Sequence, residues 1–251
     1  MKNDQALVKA SDFPLALVLL TRLPVHVSSF ERGAKAAWAY PLVGLLTGGL
    51  AGLAGLTGLW AGLAAPISAL ISLFILTITT GVMHEDGLAD TADGLWGGWD
   101  RARRLEIMKD SHIGTYGVIA LLLSFSGRWA AIWMLFETGP ATAIAALLVA
   151  PMLSRATMPA LMSALPQARD HGLSHATGRA TPATAALGVG VAAVLAGLLL
   201  GWGVVGALVW AALMTLAMGW LAHAKIGGQT GDILGATQQI TEITLLFYLT
   251  I

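Results

Sequence analysis

Long apolar runs alternate with short polar stretches along this chain. Crossing a bilayer as a helix takes roughly 20 apolar residues. Runs of about that length lie at 41–63, 67–83, 116–136, 141–161, 183–200 and 204–222. A last run, 233–251, is about 19 residues and long enough to cross. An earlier one, 13–23, is too short to cross and reads as an interfacial helix closed by Thr21-Arg22-Leu23-Pro24. Turns separate the runs at Pro66, at Glu137-Thr-Gly-Pro140 and at Gly201-Trp-Gly203. The pattern predicts an all-α polytopic membrane bundle of six or seven transmembrane helices, preceded by the short interfacial helix. No linker interrupts it, so 1–251 reads as one domain. The N-terminus has acids and no small-residue cleavage site after a short apolar core, and does not read as a cleaved leader.

The polar stretches give an orientation. Apart from Arg128 and Arg155, every Lys and Arg lies in 1–36, 84–115, 163–182 or 223–239. Consecutive segments are separated by two runs. The turns between them, at 64–66, 137–140 and 201–203, have no Lys or Arg and one acid, Glu137. By the positive-inside tendency all four segments face the cytoplasm, which in a bacterium means the inner membrane. Composition agrees: 56% of residues are hydrophobic and 11% charged, with mean hydropathy +0.74, where a soluble domain has about 25% charged. The 30 glycines suit close packing of membrane helices. A formal net charge of zero gives nucleic acid no electrostatic purchase. With no cysteine, disulfides, iron–sulfur clusters and thiolate zinc sites are excluded.

Charge is scarce, so its concentration matters. The stretch His84–Gly117 holds seven of the fourteen acids. Asp86, Asp90 and Asp93 are spaced i, i+4, i+7, which on a helix places them within about 60° of one face. Three carboxylates on one stripe repel each other unless a cation sits among them. Mg²⁺ is the natural guest, because it takes carboxylate oxygens and leaves positions open for substrate phosphates. Glu85 is off the stripe and is expected to matter far less than Asp90. His84 falls on the opposite side and reads as a capping or supporting residue. Arg101-Ala-Arg103-Arg104 reads as a basic surface anchor. Asp110 and Ser111 lead into the next run, where they cap a helix start or offer a phosphate donors. A second polar centre is Lys225-Ile-Gly-Gly-Gln-Thr-Gly-Asp232, whose closely spaced glycines suit an anion-binding turn. Arg128 and Arg155 lie within spans and need partners there. His171 and His175 read as parts of a polar loop.

Three motifs carry a resemblance: His84-Glu-Asp-Gly-Leu-Ala-Asp-Thr-Ala-Asp-Gly94, Met108-Lys-Asp-Ser-His-Ile-Gly-Thr-Tyr-Gly117 and Lys225–Asp232. With Thr21–Val25 and Tyr40–Gly44 they make the chain similar to the cobalamin synthase family, also called adenosylcobinamide-GDP ribazoletransferase. The resemblance covers nearly the whole chain. An apolar residue is more usual at Glu85, and an arginine at His112. It implies a Mg²⁺-dependent membrane enzyme joining adenosylcobinamide-GDP to α-ribazole, or its 5′-phosphate, with release of GMP. Asp86, Asp90 and Asp93 would hold the metal. Lys109, Ser111, Lys225, Gly227, Gly228, Thr230 and Asp232 would bind substrate. Asp93 or Asp110 would accept the hydroxyl proton. The expected partners are these substrates and the lipid bilayer, with self-association left open. A lipid phosphotransferase of the CDP-alcohol type and a secondary transporter are the alternatives. The transporter fits less well, because the stripe lies between spans rather than within one.

Overall fold

A computed structural model describes residues 6–251; the first five, part of the N-terminus read as uncleaved, lie outside it. Helix α1 (Asp12–Leu20) and a 3₁₀ turn (Gly33–Ala39) lead into α2 (Tyr40–Trp60), α3 (Ala65–Thr80) and α4 (Met83–Gly97). Then come α5 (Arg101–Ile107), α6 (Thr115–Thr138), α7 (Pro140–Ala164), α8 (Leu173–Thr177), α9 (Pro182–Leu200), α10 (Gly203–Ile226) and α11 (Gly231–Tyr248). No strand forms among the described residues. The fold is an all-α membrane bundle, as the apolar pattern predicts.

Five helices are long and apolar enough to cross by themselves: α2 with its 3₁₀ lead-in, α6, α7, α9 and α10. Helices α3 and α4 make a sixth crossing when the bent pair is counted as one span. Helix α3 carries its apolar part, and α4 departs at 85°. The break sits at Gly81 and Val82, both left-handed, at φ 63° and 66°. Glycine takes that conformation freely, whereas a β-branched valine there is strained by about 1–3 kcal/mol. The turn joins an apolar helix to a polar one that packs against α6 and α11.

Helix α11 explains the uncertain last run. Its start follows the end of α10 closely, and its Tyr248 hydroxyl donates to the Gly203 carbonyl at 3.0 Å, at the start of α10. The two helices therefore run side by side in opposite directions over their full length. Helix α11 falls short of a lipid-facing composition because it is buried. Gln238, Gln239, Thr241 and Glu242 all point into the bundle.

Small residues bring the central helices together. On α2, Gly44 and Gly48 lie directly against the backbone of Pro151 and Leu147 on α7. The predicted interfacial helix exists as α1 and is docked: its buried Asp12 meets Arg32 at 2.7 Å and the Trp38 indole N–H at 2.8 Å.

The four polar segments gather at one end of the bundle. Arg101 donates to the Ala168 carbonyl at 3.3 Å and Arg104 to the Lys225 carbonyl at 3.1 Å. Gly33 lies against Thr177. The arrangement is the one required by two crossings between successive polar segments.

Candidate active site

The site is built where α4 meets the start of α11. Gly87 on α4 has no side chain, and a Cβ there would stand 2.9 Å from the Asp232 carbonyl. That close approach sets Asp232 against the acidic stripe, although the two are far apart in sequence. Asp90 is half-buried. Burial, then the neighbouring carboxylates of Asp232 and Asp86, push its carboxyl up to about 7, with Arg169 pulling the other way. Asp232 is held by the Arg169 guanidinium at 3.1 Å and accepts from the Thr230 hydroxyl at 3.2 Å. Of the three acids, Asp232 is the one that pairs with the arginine.

Asp86, Asp232 and Arg169 border a half-open cavity of about 250 Å³, which Asp90 does not itself line. Asp86, Asp232, Arg169, Thr230 and Gly231 line its polar side, with His171 and His175 from the segment around α8. A wider depression adjoins it across Arg169, His171 and His175, and Lys109 and Glu106 lie on its far wall. Among the described residues, no three His, Asp or Glu side chains form a ready-made metal cage. That is compatible with Mg²⁺, which commonly uses one or two protein carboxylates and fills the rest of its shell with water and phosphate. The donor set is right in kind: carboxylate oxygens, crowded and short of positive charge.

Residues 12–250 match the family model described as cobalamin-5-phosphate synthase. The chain belongs to that family. It is 44% identical over 242 residues to an adenosylcobinamide-GDP ribazoletransferase of Bradyrhizobium diazoefficiens, covering 94% of this chain and 92% of the relative. Proteins of the same description from Mesorhizobium japonicum and Azorhizobium caulinodans are each 42% identical. They span 94% of this chain and 91% and 94% of their own lengths. No solved structure matches it.

The family's motifs are divided by the fold. Asp93, third on the stripe, turns to α6. Its two oxygens accept the Gly114 N–H at 2.7 Å and the Gly117 N–H at 2.9 Å, so it caps the start of that helix. Asp110 is exposed and paired with His112 at 2.6 Å, outside the cavity. That contact holds the Asp110 carboxyl below its usual range and the imidazole above its own. Ser111 is exposed beside it. Neither Asp93 nor Asp110 lines the cavity.

The second polar centre is split as well. Thr230, Gly231 and Asp232 reach the cavity. Lys225 does not: its ammonium lies over the Trp96 ring, 6.0 Å from the centroid. Gly227 ends α10 at φ 76°, and Gly228 is pressed against the Pro166 carbonyl. Those two glycines shape the chain that supports the site and do not line the cavity.

Below the stripe lies a cluster that motif reading missed. Glu85 is buried and meets Arg128 at 3.0 Å, and Arg128 also faces Glu242 at 3.5 Å. Arg155 faces Glu242 at 3.6 Å and donates to the Pro151 carbonyl at 3.0 Å. Gln239 donates to Glu85 at 3.2 Å, and Gln238 to Glu242 at 2.6 Å and Ser154 at 3.0 Å. These are the partners that two intramembrane arginines required. Glu85, off the stripe as expected, is one of two acids neutralising two buried arginines. Its pairing also accounts for an acid where the family more often has an apolar residue. The signal was available in the pair Arg128 and Arg155; Glu242, hidden in an apolar run, was not singled out. The reading of His84 is corrected. It is 1% exposed, and neither ring nitrogen has a partner among the described residues, so it caps nothing.

Proposed function

We propose that this chain transfers the adenosylcobinamide phosphate group from adenosylcobinamide-GDP to α-ribazole, or to its 5′-phosphate, releasing GMP late in cobalamin assembly. Family membership and relatives named for this reaction support the reading. The observation that carries it is the convergence of Asp86 and Asp232, from the first and last family motifs, on one cavity wall beside Arg169.

Asp86 and Asp90, joined by Asp232, would hold Mg²⁺; Asp93 is engaged by α6. The bound ion would neutralise charge on the diphosphate and on the departing GMP, which is most of what phosphoryl transfer needs. Arg169 adds a fixed guanidinium at the same wall, suited to a phosphate oxygen. The acceptor hydroxyl forms a bond to the cobinamide-linked phosphorus, and its proton passes to the departing GMP phosphate. The bond from that phosphorus to the bridging oxygen breaks, and GMP leaves with the electron pair. Holding the two substrates in line is the protein's main task.

The basic residues gathered at the site end support a cytoplasmic active site in a bacterial inner membrane. The lipid phosphotransferase and transporter readings are not favoured, since family and cavity fit the transferase.

The test is GMP release by the purified protein given adenosylcobinamide-GDP and α-ribazole, with Mg²⁺ and with the metal chelated. Release that needs both substrates and the metal is expected. Release without α-ribazole, or none at all, would sink the reading.

A further inference from the structure

The cavity has two chemically different sides. Opposite the carboxylates it is walled by Leu20, Tyr40, Met158, Met162 and Leu234, all from one contiguous apolar cluster, with Met83 packed at its edge. Three thioethers in one wall suit an aromatic ring, against which sulfur packs favourably. At about 250 Å³ the cavity is below the usual range for drug-sized ligands. A corrinoid, with its macrocycle and amide arms, cannot enter it. Guanine fits poorly, because two of its edges carry donors and acceptors that hydrocarbon and thioether cannot meet. The base of α-ribazole is a flat, methylated bicyclic ring with almost no polar edge.

A second observation lies at the junction of the two sides. His84, two residues before Asp86, lines the cavity, is 1% exposed, and has both ring nitrogens buried without a partner among the described residues. Buried polar groups are nearly always satisfied, and an orphan in a cavity wall points to a ligand that satisfies it. Resting on the transferase reading above, we propose that this cavity is the acceptor pocket: the methionine-lined side takes the aromatic base of α-ribazole, and His84 binds a ribose hydroxyl beside Asp86. The donor then presents only its diphosphate to the carboxylates, while its corrinoid stays outside the cavity.

This assignment separates the two substrates kinetically. In the unaltered enzyme, free dimethylbenzimidazole should inhibit competitively against α-ribazole and not competitively against adenosylcobinamide-GDP. Narrowing the pocket with Met158→Trp, or removing the hydrogen-bonding ring with His84→Leu, should raise KM for α-ribazole about tenfold or more. KM for adenosylcobinamide-GDP should stay within about twofold. Thermal unfolding checks each variant, and the inhibition pattern needs no variant at all. Competition against adenosylcobinamide-GDP, or a rise confined to its KM, would overturn the proposal by giving the cavity to the donor. An unaltered enzyme that releases no GMP with both substrates present would instead remove the transferase reading, and the pocket assignment with it.

Discussion

Glu85 and Asp86 are adjacent in sequence and live in opposite electrostatic settings. Glu85 turns into the bundle, where it and Glu242 face Arg128 and Arg155, two acids against two arginines. Asp86 turns to the cavity with Asp232, which pairs with Arg169, and Asp90 stands beside them. The first group is balanced and closed, so its role is to hold helices α4, α6, α7 and α11 together. The second is short of positive charge and open to a ligand, so it can recruit a cation. In a bilayer, where an isolated charge is expensive, the local balance of signs separates acids that build the fold from acids that do chemistry.

The strongest test of that division is Arg128→Ala. It strands Glu85 in the bundle and should cost about 3–5 kcal/mol of stability, read as a large fall in the thermal unfolding midpoint in detergent. Glu85→Ala should approach it. Thermal stability unchanged in both would mean that the cluster does not brace α4.

Asp90→Asn should do the reverse. Removing one charge from a crowded set leaves stability unchanged or slightly higher, while GMP release falls about a hundredfold, near 2.7 kcal/mol in the transition state. The loss should grow as Mg²⁺ is lowered. A folded Asp90→Asn enzyme with normal rates would remove the stripe from the reaction.

Asp93→Asn sharpens the contrast within the stripe. It weakens an acceptor of two backbone N–H groups, so a stability loss of about 1–2 kcal/mol is expected. Turnover of the remaining folded enzyme should exceed that of Asp90→Asn. The opposite order, with activity lost and stability kept, would return Asp93 to the metal site.

The smallest effect belongs to Lys225→Ala. Its ammonium rests over exposed Trp96, away from the cavity, and surface substitutions of this kind fall within about 0.5 kcal/mol. Kinetic constants near those of the unaltered enzyme are expected. A large rise in KM for adenosylcobinamide-GDP would restore the lysine to phosphate binding.

Much of the fold was legible because a bilayer imposes a one-dimensional constraint. Apolar run lengths mark crossings, and the basic residues sort the loops to one side. The i, i+4, i+7 spacing of Asp86, Asp90 and Asp93 likewise placed three acids on one helix face from local geometry alone. Run length marked α11 as long enough to cross but not why it is polar: its composition reflects a surface turned to other helices rather than to lipid. Only the tertiary structure decided which acid faces what. Gly87 lets Asp232 join the stripe, the start of α6 claims Asp93, and Arg128 on α6 reaches back to Glu85 on α4. Those pairings depend on contacts between residues distant in the chain. No local pattern encodes them, because each is set by how closely two helices approach.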